Sequence, residues 1–166
     1  MRTSEVNKLI EKENVKQIVL QFTDLSGILH SIWIPSQLFS KAVEDGVHTD
    51  GSSVGMVDIS KSDLKLVPDS STFIMLPSDS FPQKVGRVIC DIYEPESNKQ
   101  FALDPRLVLK KVVGDAKKNL GTSVEYCACS EIEFFLFKKT ENGIQLLDEG
   151  DYLATPPSDL GTDLRL

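Results

Sequence analysis

The chain has 166 residues, with 18 Lys+Arg against 25 Asp+Glu, a formal net charge of −7 and 40% hydrophobic residues. That is enough for one domain of ordinary size, or for one small domain and part of a second. The acidic balance, with no run of Lys/Arg longer than a pair, sets aside nucleic acid and anionic membrane as partners, because neither would be attracted electrostatically.

Three cysteines, Cys90, Cys127 and Cys129, are an odd number, and no basic-then-apolar leader precedes the polar opening Met1-Arg2-Thr3-Ser4-Glu5. A reduced, cytoplasmic chain is expected. No uninterrupted run of apolar residues such as Phe134-Phe135-Leu136-Phe137 is longer than four, far short of the roughly 20 residues that span a bilayer, so no membrane segment is expected.

The predicted elements begin with a short amphipathic helix from Thr3 to about Glu13, with Ser4 as a capping-type residue and Val6, Leu9 and Ile10 on one face. Two β-rich runs follow, Gln17 to Thr23 and Ile28 to Pro35, joined by the turn composition Asp24-Leu25-Ser26-Gly27, which reads as a hairpin. Pro35 stops the second strand, Ser36 can cap, and Leu38, Phe39, Ala42 and Val43 recur at helical spacing until Gly46. Thr72 to Leu76 and Lys84 to Tyr93 supply two more strands. Four strands wrapped on one helix predict a small α+β sheet domain.

The polar, turn-rich stretch Glu94-Pro95-Glu96-Ser97-Asn98-Lys99-Gln100 places a boundary near residue 100, giving one domain over residues 1–100 and the start of another over 101–166. Asp104-Pro105 has the cap-then-Pro form of a helix start, and Leu107, Leu109, Val112, Val113, Ala116 and Leu120 give an amphipathic helix that Gly121 ends. Val124 through Lys138 reads as one long strand. The tail from Glu149 to Leu166 supplies nothing to pair with it, so the second unit reads as incomplete.

Two features could carry chemistry. The first is Glu131-Ile132-Glu133 inside that apolar stretch. In a strand, alternate side chains share a face, which would put the two carboxylates roughly 7 Å apart. Unpaired carboxylates on a buried face repel and are costly to desolvate, so a positive group is expected beside them, and Mg²⁺ or Mn²⁺ suits oxygen donors placed this way. The alternative is that both carboxylates face solvent on a half-exposed strand. Cys127 and Cys129 would share that face. Small buried thiols are favoured over a Cys-x-Cys zinc site there, since His30 and His48 lie far upstream. The second feature is His48-Thr49-Asp50-Gly51-Ser52-Ser53-Val54-Gly55, a small-residue loop with one acid. Its backbone could approach a ligand closely and Asp50 could bind a small cation, and a plain surface loop is the alternative.

Both features occur in one order with other strings. Gln21-Phe22-Thr23-Asp24-Leu25-Ser26-Gly27, Asp50-Gly51-Ser52-Ser53, Ser62-Asp63-Leu64-Lys65-Leu66-Val67-Pro68-Asp69 and Ser130-Glu131-Ile132-Glu133-Phe134-Phe135-Leu136-Phe137 resemble the amino-terminal third of type I glutamine synthetase. Arg87-Val88-Ile89-Cys90-Asp91-Ile92-Tyr93, Asp104-Pro105-Arg106 and Pro157-Ser158-Asp159-Leu160-Gly161 are also similar to that family, so the resemblance covers nearly the whole chain.

The resemblance implies an α+β fold: a β-grasp amino-terminal domain followed by the truncated beginning of a catalytic domain. It also implies ATP-dependent joining of ammonia to the γ-carboxyl of glutamate through γ-glutamyl phosphate, with Mg²⁺ or Mn²⁺ at two sites whose ligands lie partly outside this chain. On it, Glu131 and Glu133 match metal ligands. Asp50, with Ser53, matches the acid loop that one subunit lends to its neighbour, where Asp50 binds ammonium and helps deprotonate it, and Asp63 supports that loop. The implied assembly is a homo-oligomer of two stacked rings of six.

Several positions depart from the family pattern. Ile132 stands where common members have Pro, Cys129-Ser130 where they have Gly-Pro, and Tyr152-Leu153-Ala154 where they have Tyr-Phe-Asp. Such changes recur in paralogues that join glutamate to other amines. A γ-glutamyl ligase for a larger, polyamine-type amine and a non-catalytic structural or regulatory family member are therefore the alternatives. Since the family's other metal ligands, arginines and flap fall beyond Leu166, the 166 residues alone are expected to be inactive.

Overall fold

The structure, a computed structural model, describes residues 1–77, 79, 81–121, 125, 127–151 and 153–161. The chain splits into two compact units, Met1–Val124 and Glu125–Leu166.

The first unit opens with α1 (Thr3–Glu13), β1 (Gln17–Thr23) and β2 (Leu29–Pro35), then α2 (Phe39–Asp45), β3 (Val47–Asp50), β4 (Asp63–Pro68), β5 (Ile74–Met75) and β6 (Val85–Tyr93), and closes with α3 (Pro105–Leu120). The strands make one sheet in the order β2-β1-β6-β4-β3, with β5 also pairing β6. The hairpin β1–β2 is antiparallel, with Gly27 at φ 82° in its turn, a conformation that favours glycine. At the centre β1 and β6 run parallel, Gln17 opposite Val85 through Gln21 opposite Ile89. The long crossover such a pair requires carries α2 and β3 to β5.

The core lies where the buried sides of these strands meet two helices. Val6 and Ile10 of α1 and Phe39 and Ala42 of α2 pack with Ile18, Leu20 and Phe22, with Leu64 and Leu66, and with Val88, Cys90 and Ile92. In β4 and β6 alternate residues are buried, the period-2 signature of half-buried strands. Gly86 sits where a side chain has no room: a Cβ there would lie 2.5 Å from the Phe73 ring and 3.0 Å from Ile18 Cδ1.

Several expectations are corrected. Ser4 does not cap α1. It lies inside the first turn, and Glu5 reaches back to accept from the Arg2 backbone N–H at 2.8 Å. Ser36 does not cap α2 either. It is buried in a separate 3-10 turn, Ser36–Leu38, and its hydroxyl donates to the Val15 carbonyl at 2.7 Å. The sheet has six strands rather than four, because β3 and β4 add to it. The alternation Leu64, Leu66, Pro68 was the available signal for β4.

In the second unit the long strand is not formed. Residues 127–136 lie outside any strand, while Val124 and Tyr126 lie outside the described residues. The end of the expected strand falls within Phe137–Thr140 (β7), which is paired, running antiparallel to Gly143–Leu146 (β8). A strand is held by its neighbour's ladder, and among the described residues of this unit only β8 supplies one to β7. With no strand there, Cys127 and Cys129 are exposed free thiols rather than small buried ones, whereas Cys90 is buried and burial pushes its thiol up to about 12.

Candidate functional site

Asp50 is the last residue of β3, an edge strand, and the chain turns immediately after it. Its carboxylate organises that turn. Oδ1 accepts from the Ser52 backbone N–H at 2.9 Å, the Ser52 hydroxyl at 2.6 Å and the Ser53 N–H at 3.3 Å, and Oδ2 accepts from the Ser53 hydroxyl at 2.6 Å. Donors crowd the charged form and favour it. The hydroxyls of Ser52 and Ser53, with their amides, hold the Asp50 carboxyl down at about 2. The result is an exposed carboxylate fixed in place and ionised across the physiological range.

The loop is tied to the fold on both sides. The Gly51 N–H donates to the Ser62 carbonyl at 2.7 Å, and the buried Met56 donates its N–H to the Gly51 carbonyl at 2.9 Å. Gly51 is required by close approach, since a Cβ would lie 2.4 Å from Cδ1 of the buried Leu64. Asp63 begins β4 directly opposite Asp50 in the antiparallel register, and its Oδ1 lies 3.5 Å from the Ser62 hydroxyl. It also lines a cavity of about 590 Å³ with Lys61, Glu94, Glu96 and Phe101, one to which Asp50 and Ser53 do not contribute. The acid loop thus presents its carboxylate outward.

Asp50, Ser53 and Asp63 are therefore brought together in the first unit. Ser52 is a contributor that the reading of Asp50 with Ser53 alone left out, although the Asp-x-Ser-Ser spacing is itself a turn signal, with hydroxyls set to bond a preceding carboxylate. Glu131 and Glu133 belong to the second unit, where both are exposed in a stretch without regular structure. Their oxygens are the hard donors Mg²⁺ or Mn²⁺ prefers. Among the described residues no group of three or more His, Cys, Asp or Glu forms a metal cluster. No helix among the described residues is long and apolar enough to cross a membrane.

Residues 14–95 match the glutamine synthetase β-grasp domain family. The chain is 37% identical over 165 residues to a glutamine synthetase of Staphylococcus aureus and 41% identical over 165 residues to one of Methanosarcina mazei. Each match covers 97% of this chain and 36% of the relative, so the chain spans about a third of the length of these relatives. Among solved structures, a cryo-EM glutamine synthetase of Plasmodium falciparum superposes with a TM-score of 0.63 at 23% identity, over 72% of this chain and 23% of that one. That likeness establishes the fold. The sheet, the acid loop at its edge and the identity to these relatives lead to one conclusion: residues 14–95 are a glutamine synthetase β-grasp domain, and the chain belongs to the glutamine synthetase family.

Proposed function

We propose that this chain is the amino-terminal part of an ATP-dependent glutamate–ammonia ligase. Glutamate's γ-carboxylate takes the terminal phosphoryl group of ATP, releasing ADP, and ammonia then displaces phosphate to leave glutamine. The observation that carries this reading is Asp50, a carboxylate held in place by Ser52 and Ser53 at the exposed edge of a glutamine synthetase β-grasp domain. A fixed anion in a loop of small residues suits a small cation, and ammonium is one.

In this reading Asp50 binds and orients ammonium and helps its deprotonation as the amine becomes nucleophilic, with Ser53 holding the carboxylate in position. Asp63 supports the loop from the facing strand. Glu131 and Glu133 would hold divalent cations, Mg²⁺ or Mn²⁺, and bound metal would neutralise phosphate charge. Residues 1–100 form the β-grasp domain and residues 101–166 the start of the catalytic domain. The full-length protein is cytoplasmic and a homo-oligomer of two stacked rings of six. Ile132 and Cys129-Ser130, where common members carry proline, favour a second reading with a larger amine in place of ammonia.

ADP release by the full-length protein tests both. Glutamate with ammonium should support turnover, and Glu131→Gln or Glu133→Gln should each abolish it with the fold intact, since each keeps the shape and removes a charge. Turnover with a larger amine and none with ammonium would establish the second reading. Near-normal activity of either Gln variant at limiting Mg²⁺ or Mn²⁺ would remove the ligand assignment.

A further inference from the structure

Helix α3 is attached to its sheet without a core. None of its sixteen residues is buried, and none joins the hydrophobic cluster. An amphipathic helix is ordinarily held by its apolar stripe, yet Leu109, Val112 and Val113 of α3 are 64%, 58% and 43% exposed. What holds it is polar and confined to its first two turns. The buried Asp104 accepts from the Arg106 N–H at 2.9 Å as the helix cap and from the Ile92 N–H of β6 at 3.0 Å. Arg106 then forks between two acids, Nη1 to Asp91 Oδ1 at 2.5 Å and Nη2 to Asp69 Oδ2 at 2.6 Å. One turn on, Lys110 Nζ meets the Asp91 carboxylate at 2.7 and 2.8 Å and Asp69 at 3.6 Å.

Two cations face two anions, and the anions come from fixed elements. Asp91 lies in β6. Asp69 caps the short turn Ser70–Thr72, where Thr72 bonds the Ile89 N–H of the same strand at 2.8 Å. Arg106, Asp91 and Asp69 are each less than a quarter exposed, so salt and water screen their pairing less than on an open surface. Burial alone would push Asp69 up, but the Ser71 hydroxyl and the Arg106 guanidinium outweigh it and hold its carboxyl at about 2.

We propose that Asp69, Asp91, Arg106 and Lys110 form an ionic clasp that, with the Asp104 cap, docks α3 on the sheet, and that Arg106 is its positioning residue. The planar fork of Arg106 donates to both carboxylates at hydrogen-bond distance, one nitrogen to each, whereas Lys110 is a point charge that sits on Asp91 and reaches Asp69 only at 3.6 Å. The inference is independent of the reaction proposed above.

Native-state amide hydrogen exchange on the 166-residue chain tests it. In the unaltered chain, α3 amides from Val112 onward should be protected. Arg106→Gln should speed their exchange about tenfold or more while β1 and β6 amides stay within about twofold, and Arg106→Lys should fall between, because opening of a docked element is read separately from global unfolding. About 1 M salt should speed α3 exchange in the unaltered chain and leave Arg106→Gln little changed. Unprotected α3 amides in the unaltered chain, no response to Arg106→Gln, full protection in Arg106→Lys, or β6 accelerating in step with α3 would each overturn the clasp. If Arg106→Gln does not fold, Lys110→Gln, at the more exposed end, carries the same comparison at smaller amplitude.

Discussion

Asp50 owes its lowered titration and its fixed position to two hydroxyls. Removing either should raise its titration: in the 166-residue chain, NMR should follow the Asp50 carboxyl to a midpoint near 2, and Ser52→Ala and Ser53→Ala should each move that midpoint toward the ordinary aspartate range. A midpoint already at the ordinary value in the unaltered chain would mean that the serine hydroxyls do not hold the carboxylate in the folded turn. Asp24 is the comparable case inside the fold. Its Oδ1 accepts from the Ser26 and Ile28 backbone N–H groups at 2.8 and 2.9 Å, and its Oδ2 lies 2.8 Å from His30 Nε2, whose ring stacks on Phe22. The His30 bond, then the Ile28 amide, lower its carboxyl. A carboxyl lowered by folding stabilises above its unfolded value and loses that contribution as pH falls through its folded one. Melting temperatures from pH 7 down to pH 2 should therefore fall more steeply for the unaltered chain than for Asp24→Asn, which should start lower; parallel curves would contradict the assignment.

At the scale of elements, the sheet positions the acid loop. β3 is an edge strand held by β4 alone, and β4 is held in turn by β6. Gly51 and Leu64 close the loop onto β4, so the carboxylate of Asp50 is as fixed as the strand pair beneath it. At the centre of the sheet packing leaves little tolerance. Gly86→Ala would drive a methyl into the Phe73 ring and Ile18, and overpacking of this kind typically costs about 1–3 kcal/mol. Urea denaturation should show a lowered midpoint at unchanged slope. A midpoint equal to that of the unaltered chain would mean that Phe73 swings away freely.

For the whole molecule, the acid loop and the two glutamates lie in separate units of one chain, and the described residues hold no complete metal cluster. The 166-residue chain by itself should therefore give no ADP release with glutamate, ammonium and ATP. On the proposed reading, an exposed Asp50 can serve a neighbour's site in the full-length protein, and interfaces that join unlike surfaces form rings where the rotation closes. Asp50→Ala and Glu133→Gln subunits, each inactive alone, should then recover activity in mixed oligomers, because some interfaces pair an intact loop with an intact Glu131–Glu133 segment. No recovery in verified mixed oligomers would assign Asp50 to its own subunit's site.

The sequence by itself determined the elements whose signals are local. The spacing of Val6, Leu9 and Ile10 set α1, the turn Asp24 to Gly27 set the β1–β2 hairpin, and Asp104-Pro105 with Gly121 set both ends of α3, because caps, turns and apolar periods act within a few residues. The ordered strings also pointed to the family. Tertiary structure decided what depends on distant partners. β3 is short and half exposed, and it is a strand because β4 pairs with it. Ser36 serves Val15 instead of a helix because β1 begins beside it. The apolar run before Phe137 shows β-type composition but, among the described residues, no ladder to join, and composition without a neighbour's N–H and C=O groups does not make a strand. The charge of Asp50 was likewise legible as a residue type, whereas its fixed position and lowered titration come from four donors that only the folded turn brings onto one carboxylate.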